Sequence, residues 1–149
     1  VNALVVNNEL PVRTTAELVD YAKKNPGKLN YAEASASQRL SGEMFNKLAG
    51  VKMERVPYKA SPQALGDVAS GQVQVMFPDL PQALTQIEAG RVRGLATTGP
   101  KRTTVTPNLP AIAEAVPGYS LVYWLAVFAP AATPKDVQKA LADAIAEAL

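Results

Sequence analysis

Glycine and proline punctuate this sequence at short intervals, and between the stops strand-like and helix-like patterns take turns. That alternation limits the available folds more than any other feature. The β-rich run Ala3-Leu4-Val5-Val6-Asn7 leads to Thr14-Thr15-Ala16-Glu17, a capping box in which a Thr hydroxyl and a Glu carboxylate satisfy free amides at a helix start. The helix is expected to run to about Lys24 and to stop at Pro26-Gly27. Leu29-Asn30-Tyr31-Ala32 then reads as a short buried strand, because a helix does not fit between breakers so close together. A second helix is expected from about Ser37, with Leu40, Met44, Phe45 and Leu48 on one face and Gly50 as a left-handed cap. Met53 to Tyr58 reads as a strand, Ser61-Pro62 as N-cap and first helical residue, Leu65 and Val68 as inward positions, and Gly71 as the stop. Val73 to Phe77 is a strand, Leu80, Leu84 and Ile87 have helical spacing up to Gly90, and Val92 to Thr98 returns as a strand. Strands and helices joined by short connections predict an α/β fold, a mostly parallel sheet flanked by helices on both faces.

From Pro100 to Pro117 the residues shift to Thr, Pro, Asn and Lys, which predicts an irregular connection with one short helix at Pro110 to Ala115. The apolar run Tyr119 to Ala129 reads as a long strand or hinge, and its single Trp124 is either a hinge wall that contacts ligand or, as a lone Trp inside an apolar strand more often is, buried core. Thr133-Pro134 opens a last helix with Val137, Leu141, Ile145 and Leu149 on one stripe.

The chain has 149 residues, 48% apolar, enough to bury one core, and its net charge of +2 gives no nucleic-acid footprint. A pI near 8.9 mildly favours anionic partners. With no Cys and no His, Ser-His-Asp and Cys-His nucleophiles, thiol redox chemistry and the commonest zinc sites are excluded. No apolar run is long enough to span a membrane, and the start Val1-Asn2-Ala3-Leu4 lacks the pattern of an export signal. An enzyme would have to work with Asp79 and Lys59 as its only plausible acid–base pair, and no motif supports one. The expectation is a binding protein with no cofactor, no metal and no nucleic-acid partner.

In an open α/β sheet, ligands sit beyond the carboxyl ends of the strands, where helix N-termini present free amides. One such corner is Glu33 to Arg39, where the hydroxyls of Ser35 and Ser37 and the amides of the turn through Ala36 suit a carboxylate; the structural alternative is a Ser that only caps the helix. A second is Phe77-Pro78-Asp79-Leu80-Pro81, in which Asp79 either faces the cleft or caps the next helix. Tyr58 offers a phenol at a third corner, with a packed wall as its structural alternative, and Thr97 and Thr98 offer hydroxyls at the end of the last strand or are ordinary β-formers. An Asp79 carboxylate in the cleft would favour a ligand with one or two carboxylates, with or without a donor group, over citrate.

The segments Pro26 to Ala32, Gly42 to Phe45, Val56 to Lys59, Gly71 to Phe77, Ala89 to Thr98, Pro117-Gly118-Tyr119 and Ala129 to Pro134 resemble, in order and spacing, the signature segments of the extracytoplasmic solute receptors of tripartite tricarboxylate transporters, the TctC/Bug family. The resemblance implies one lobe of a two-lobed, type II periplasmic-binding-protein-like receptor that captures a small organic carboxylate in the periplasm for membrane permease subunits. A sensor-kinase partner or the effector domain of a transcription factor is the alternative without transport. Most of the family has a Gly/Ser-rich loop ending in His at the first corner and an Asp directly after Met-Phe at the second. Here Arg39 and Pro78 stand at those places. The family's export signal and first lobe are not in this sequence. The resemblance therefore implies that residues 1–117 are the second lobe and residues 118–149 a crossover strand and helix returning to the first, whose apolar side chains would otherwise drive self-association.

Overall fold

The computed structural model describes residues 1–124 and 126–148. Its elements are β1 (Ala3–Val6), α1 (Thr15–Lys24), β2 (Asn30–Glu33), α2 (Ala36–Ala49), β3 (Glu54–Pro57), α3 (Ser61–Ala69), β4 (Val75–Met76), α4 (Leu80–Glu88), β5 (Arg93–Thr97), a single 3-10 turn at Ile112–Glu114, and α5 (Lys135–Ala148). The strands form one five-stranded sheet in the order β3-β2-β4-β1-β5. β2 pairs in parallel with β3 and β4, whereas β1 is antiparallel to both β4 and β5. Strand direction is thus mostly parallel, with one interior strand reversed. The reversal carries the start of the chain to the carboxyl ends of the other four strands.

Alternation along each strand assigns side chains to two core layers. Leu4, Val6, Tyr31, Val75 and Phe77 pack with Leu18 of α1 and Phe45 of α2, and Ile112, Val116 and Tyr119 close the same layer. Ala3, Val5, Ala32 and Met76 pack with Ala64, Leu65 and Val68 of α3 and Leu80 and Ala83 of α4. Helices cover both faces, which explains why the interior strands read as unbroken apolar runs. In the first layer Tyr31, Phe45, Phe77 and Tyr119 form a chain of edge-on and tilted rings with centroids 5.9–6.4 Å apart. Each such contact adds about 0.5–1.5 kcal/mol beyond its area burial.

Several local expectations are met with small shifts. Thr14 caps α1, accepting from the Glu17 amide at 3.1 Å, and the Glu17 carboxylate reaches back to the Arg13 amide at 2.6 Å, one residue before the cap itself. Gly50 ends α2 at φ 64°, where a side chain would be strained. Ser61 does not cap α3: Ala60 takes the cap position, and the Ser61 hydroxyl instead serves Gln38.

Three expectations are corrected. The buried face of α2 is Gln38, Ser41, Gly42 and Phe45, while Leu40 is 58% exposed. Small and polar residues win that face because the helix lies close over Tyr31: a Cβ on Gly42 would meet the Tyr31 ring at 2.3 Å. Trp124 is not core but 77% exposed. The run Tyr119 to Ala129 forms no strand among its described residues, and Leu125, which belongs to that run, lies outside them. α5, by contrast, is as expected: it buries none of its residues, and Val137, Leu141 and Ile145 form an exposed stripe, while Leu149, also expected on it, lies outside the described residues.

Candidate functional site

Because β1 runs against its neighbours, Asn2 sits at the carboxyl edge of the sheet and joins two of its corners. Its backbone amide donates to Thr98 Oγ1 at 2.9 Å, and its carbonyl accepts from the Thr98 amide at 2.9 Å. Asn2 also forms an isolated antiparallel bridge with Asp79. Its side-chain Nδ2 donates to Ser41 Oγ at 3.2 Å, and Ser41 in turn donates to the Ser37 carbonyl at 2.8 Å, which ties the strand to the first turn of α2. Asn2 is fully buried, and its Oδ1 has no partner. Gln38, also fully buried, accepts from the Ala34 amide at 2.7 Å and donates to Ser61 Oγ at 2.8 Å, linking the starts of α2 and α3. Buried polar side chains are kept only where hydrogen bonds offset their desolvation. Here Asn2, Glu33, Gln38, Ser41, Thr97 and Thr98 all lie at this one edge.

At the first corner Ser35 is the N-cap of α2: its hydroxyl accepts from the Gln38 amide at 3.4 Å and lies 3.1 Å from the Ser37 hydroxyl. Ser35 and Ala36 are exposed and Ser37 is half-buried. The Ala36 and Ser37 amides belong to the helix's free first turn, and the fourteen-residue helix behind them places partial positive charge there. Amides, two hydroxyls and a helix dipole at an exposed edge suit a carboxylate.

Asp79, at the second corner, occupies the cap position of α4 but makes no capping bond. α4 has little need of one: the Leu80 amide donates to the Val1 carbonyl at 3.3 Å, and Pro81 has no amide to satisfy. Asp79 Oδ1 instead accepts from the Tyr123 hydroxyl at 2.9 Å. Burial, and then the hydrogen bond to Asp79, push the Tyr123 phenol up to about 12. Pro78 is buried, and its carbonyl accepts from the Ala3 amide at 2.9 Å, so it shapes the corner from below.

The remaining candidates, Tyr58 and Thr97, lie at the same edge. Tyr58 follows β3 at the same edge, but its hydroxyl is tied to Asp67 of α3 at 2.7 Å, and burial with that bond pushes the phenol up to about 12. Thr97 is fully buried with its hydroxyl unpartnered. Thr98, beside it, is the one bonded to Asn2. The segment leaving the body is fastened across both principal corners: Tyr119 donates to the Ser41 carbonyl at 3.1 Å, the Leu121 amide to the Thr98 carbonyl at 2.8 Å, and Tyr123 to Asp79. Asn2, Gln38, Ser41 and Tyr123 were not predicted as site residues. Gln38, Ser41, Gly42 and Phe45 do share the i, i+3, i+4, i+7 spacing of one helix face, a signal hidden because three of them are not apolar. Nothing local marks Asn2 or Tyr123.

Among the described residues no group of His, Cys, Asp and Glu is placed to hold a metal ion, and no helix is long and apolar enough to cross a membrane. A concavity of about 380 Å³ between α3 and α4, with Pro62, Leu65 and Ala69 on one side and Gln82, Gln86 and Arg91 on the other, runs along the outer helical layer, away from the carboxyl edge of the sheet.

The family model for the tripartite tricarboxylate transporter family receptor, TctC, matches residues 1–149. A UPF0065 protein from the tcbD-tcbE intergenic region of Pseudomonas sp. (strain P51) is 35% identical over 144 residues, covering 94% of this chain and 43% of that relative. Among solved structures, the R. palustris protein Rpa4515 with adipate superposes with a TM-score of 0.91 at 40% identity, over 94% of this chain and 48% of that one. The periplasmic binding protein BugD superposes with a TM-score of 0.88 at 31% identity, over 95% of this chain and 48% of that one. The chain therefore spans about half the length of these three proteins.

Proposed function

The chain belongs to the tripartite tricarboxylate transporter receptor family, and from that membership we propose that it forms part of a periplasmic solute receptor that binds a small organic carboxylate without turning it over and delivers it to membrane permease subunits. The observation that carries this reading is the concentration of buried polar residues at the carboxyl edge of the sheet, beneath the exposed Ser35–Ser37 turn of α2. Ser35, Ser37 and the Ala36 and Ser37 amides would hold one ligand carboxylate. Asp79 would face its other end, with Pro78 fixing the corner, while Tyr58 and Thr97 contribute to the walls only. The adipate bound by the similar R. palustris protein agrees with a ligand of this class.

Residues 1–117 are proposed as one lobe of a clamp, with residues 118–149 leading away from it. The hydrogen bonds of Tyr119 and Leu121 extend the packed body a few residues past that boundary. Isothermal calorimetry on the gene product of the complete reading frame, against mono-, di- and tricarboxylates, amino acids and aromatic acids, tests the reading. A mono- or dicarboxylate should bind at about the micromolar level, roughly −8 kcal/mol, with citrate weaker. The 149 residues alone should bind poorly, since one wall of a cleft supplies only part of the contacts. No binding of any carboxylate by the complete protein would overturn the proposal.

A further inference from the structure

Among the described residues, the Asp79–Tyr123 hydrogen bond is the one contact at the candidate site that joins a charged side chain to the segment leaving the body. α4 makes no use of the Asp79 side chain, so its carboxylate is free to serve another purpose. It is half-buried and lies opposite Asn2, whose side chain reaches through Ser41 to the Ser37 carbonyl under the proposed carboxylate cradle. A fixed negative charge there repels any second anionic group on a bound ligand, and where that charge points decides how strongly.

Building on the carboxylate-receptor reading, we infer that Tyr123 is a specificity-determining residue: by donating its hydroxyl to Asp79 Oδ1 it occupies one oxygen and holds the carboxylate toward the departing segment, which lowers the penalty for ligands with two carboxylates. The hydroxyl donates to a charged acceptor, the stronger class of hydrogen bond. Tyr123 is itself half-buried, anchored on one side by Leu121 bonded to Thr98 and by Tyr119 bonded to Ser41, so the phenol arrives from a fixed direction. Phenylalanine at this position would keep the packing and release the carboxylate.

The test compares an unbranched dicarboxylate such as adipate with the monocarboxylate of equal carbon number, by calorimetry on the complete gene product. Tyr123→Phe should weaken the dicarboxylate relative to the monocarboxylate by on the order of two- to fivefold, the range spanned by one partly solvated charge interaction. Asp79→Asn should shift the ratio the other way, and Tyr123→Phe combined with Asp79→Asn should match Asp79→Asn alone, because the hydroxyl acts only through the carboxylate. Thermal melts confirm that each variant is folded; if Tyr123→Phe is not, the ratio in Asp79→Asn carries the test. Equal changes for both ligands, or an additive double variant, would overturn the assignment while leaving the receptor reading intact. A wild-type protein that binds neither acid would remove the receptor reading and the assignment together.

Discussion

Two glycines inside helices illustrate how local space sets the sign of one substitution. Alanine is favoured over glycine in a helix by about 1 kcal/mol. At Gly66 of α3 an added Cβ meets nothing within 4 Å, so Gly66→Ala should raise the urea midpoint. At Gly42 of α2 the same atom would lie 2.3 Å from the Tyr31 ring, which is fully buried and held by its hydroxyl to Glu43 at 2.8 Å. Overpacking costs about 1–3 kcal/mol, which exceeds the propensity gain, so Gly42→Ala should lower the midpoint. A second expectation at this scale concerns the phenols of Tyr58 and Tyr123, both held near 12 against an ordinary value of 10.0. Below pH 10 the phenols are protonated in both the folded and the unfolded chain, and the stability they contribute is fully present. As pH rises from about 10 toward 12 the unfolded chain loses protons that the folded one keeps, so stability falls. Asp79→Asn should bring the Tyr123 phenolate absorbance step to lower pH without moving that of Tyr58.

The loop between β1 and α1 depends on one side chain from the neighbouring edge strand, β5. The Arg93 guanidinium donates to the Asn8, Leu10 and Val12 carbonyls at 2.8–3.1 Å, so an irregular segment has its carbonyls satisfied without secondary structure. A lysine ammonium is a single point donor on a flexible stem and cannot reproduce this fork. Arg93→Lys should therefore cost about 1–2 kcal/mol, toward the low end for charge-assisted bonds because the group is partly solvated. Limited proteolysis should show new cleavage between Asn8 and Arg13, whereas unchanged cleavage would mean that the loop holds itself.

Beyond Tyr123 the described residues present apolar surface with no cover among themselves. Trp124 and Phe128 are 77% and 84% exposed, and a concavity of about 410 Å³ is lined by Val127, Phe128, Leu141, Ala142 and Ile145. Patches of this kind do not stay bare in water. The 149-residue chain by itself is expected to self-associate, with Trp124 emission moving to the blue as concentration rises. Sedimentation as a monomer over a wide concentration range, with unchanged emission, would show that the patch is tolerated.

Residues close together in sequence determined much of the architecture directly. Thr14 and Glu17 start α1, Gly50 ends α2, and the apolar runs at Ala3–Val6 and Val75–Met76 are strands because covered strands need apolar residues on both faces. Ser35 and Ser37 were legible for the same reason: a helix start after a strand is a local event. What the pattern could not carry was the reversal of β1, since an apolar strand reads the same in either direction. The Asn2 junction follows from that reversal. The close approach of α2 to Tyr31, which reserves its inner face for Gln38, Ser41 and Gly42, was equally invisible, as was the route that delivers Tyr123 to Asp79 across 44 positions of sequence. The sequence by itself determined most of the elements and the helix start at Ser35. Only the tertiary structure decided the buried polar network beneath that start and the partner of Asp79, because both depend on groups that are neighbours in space and not along the chain.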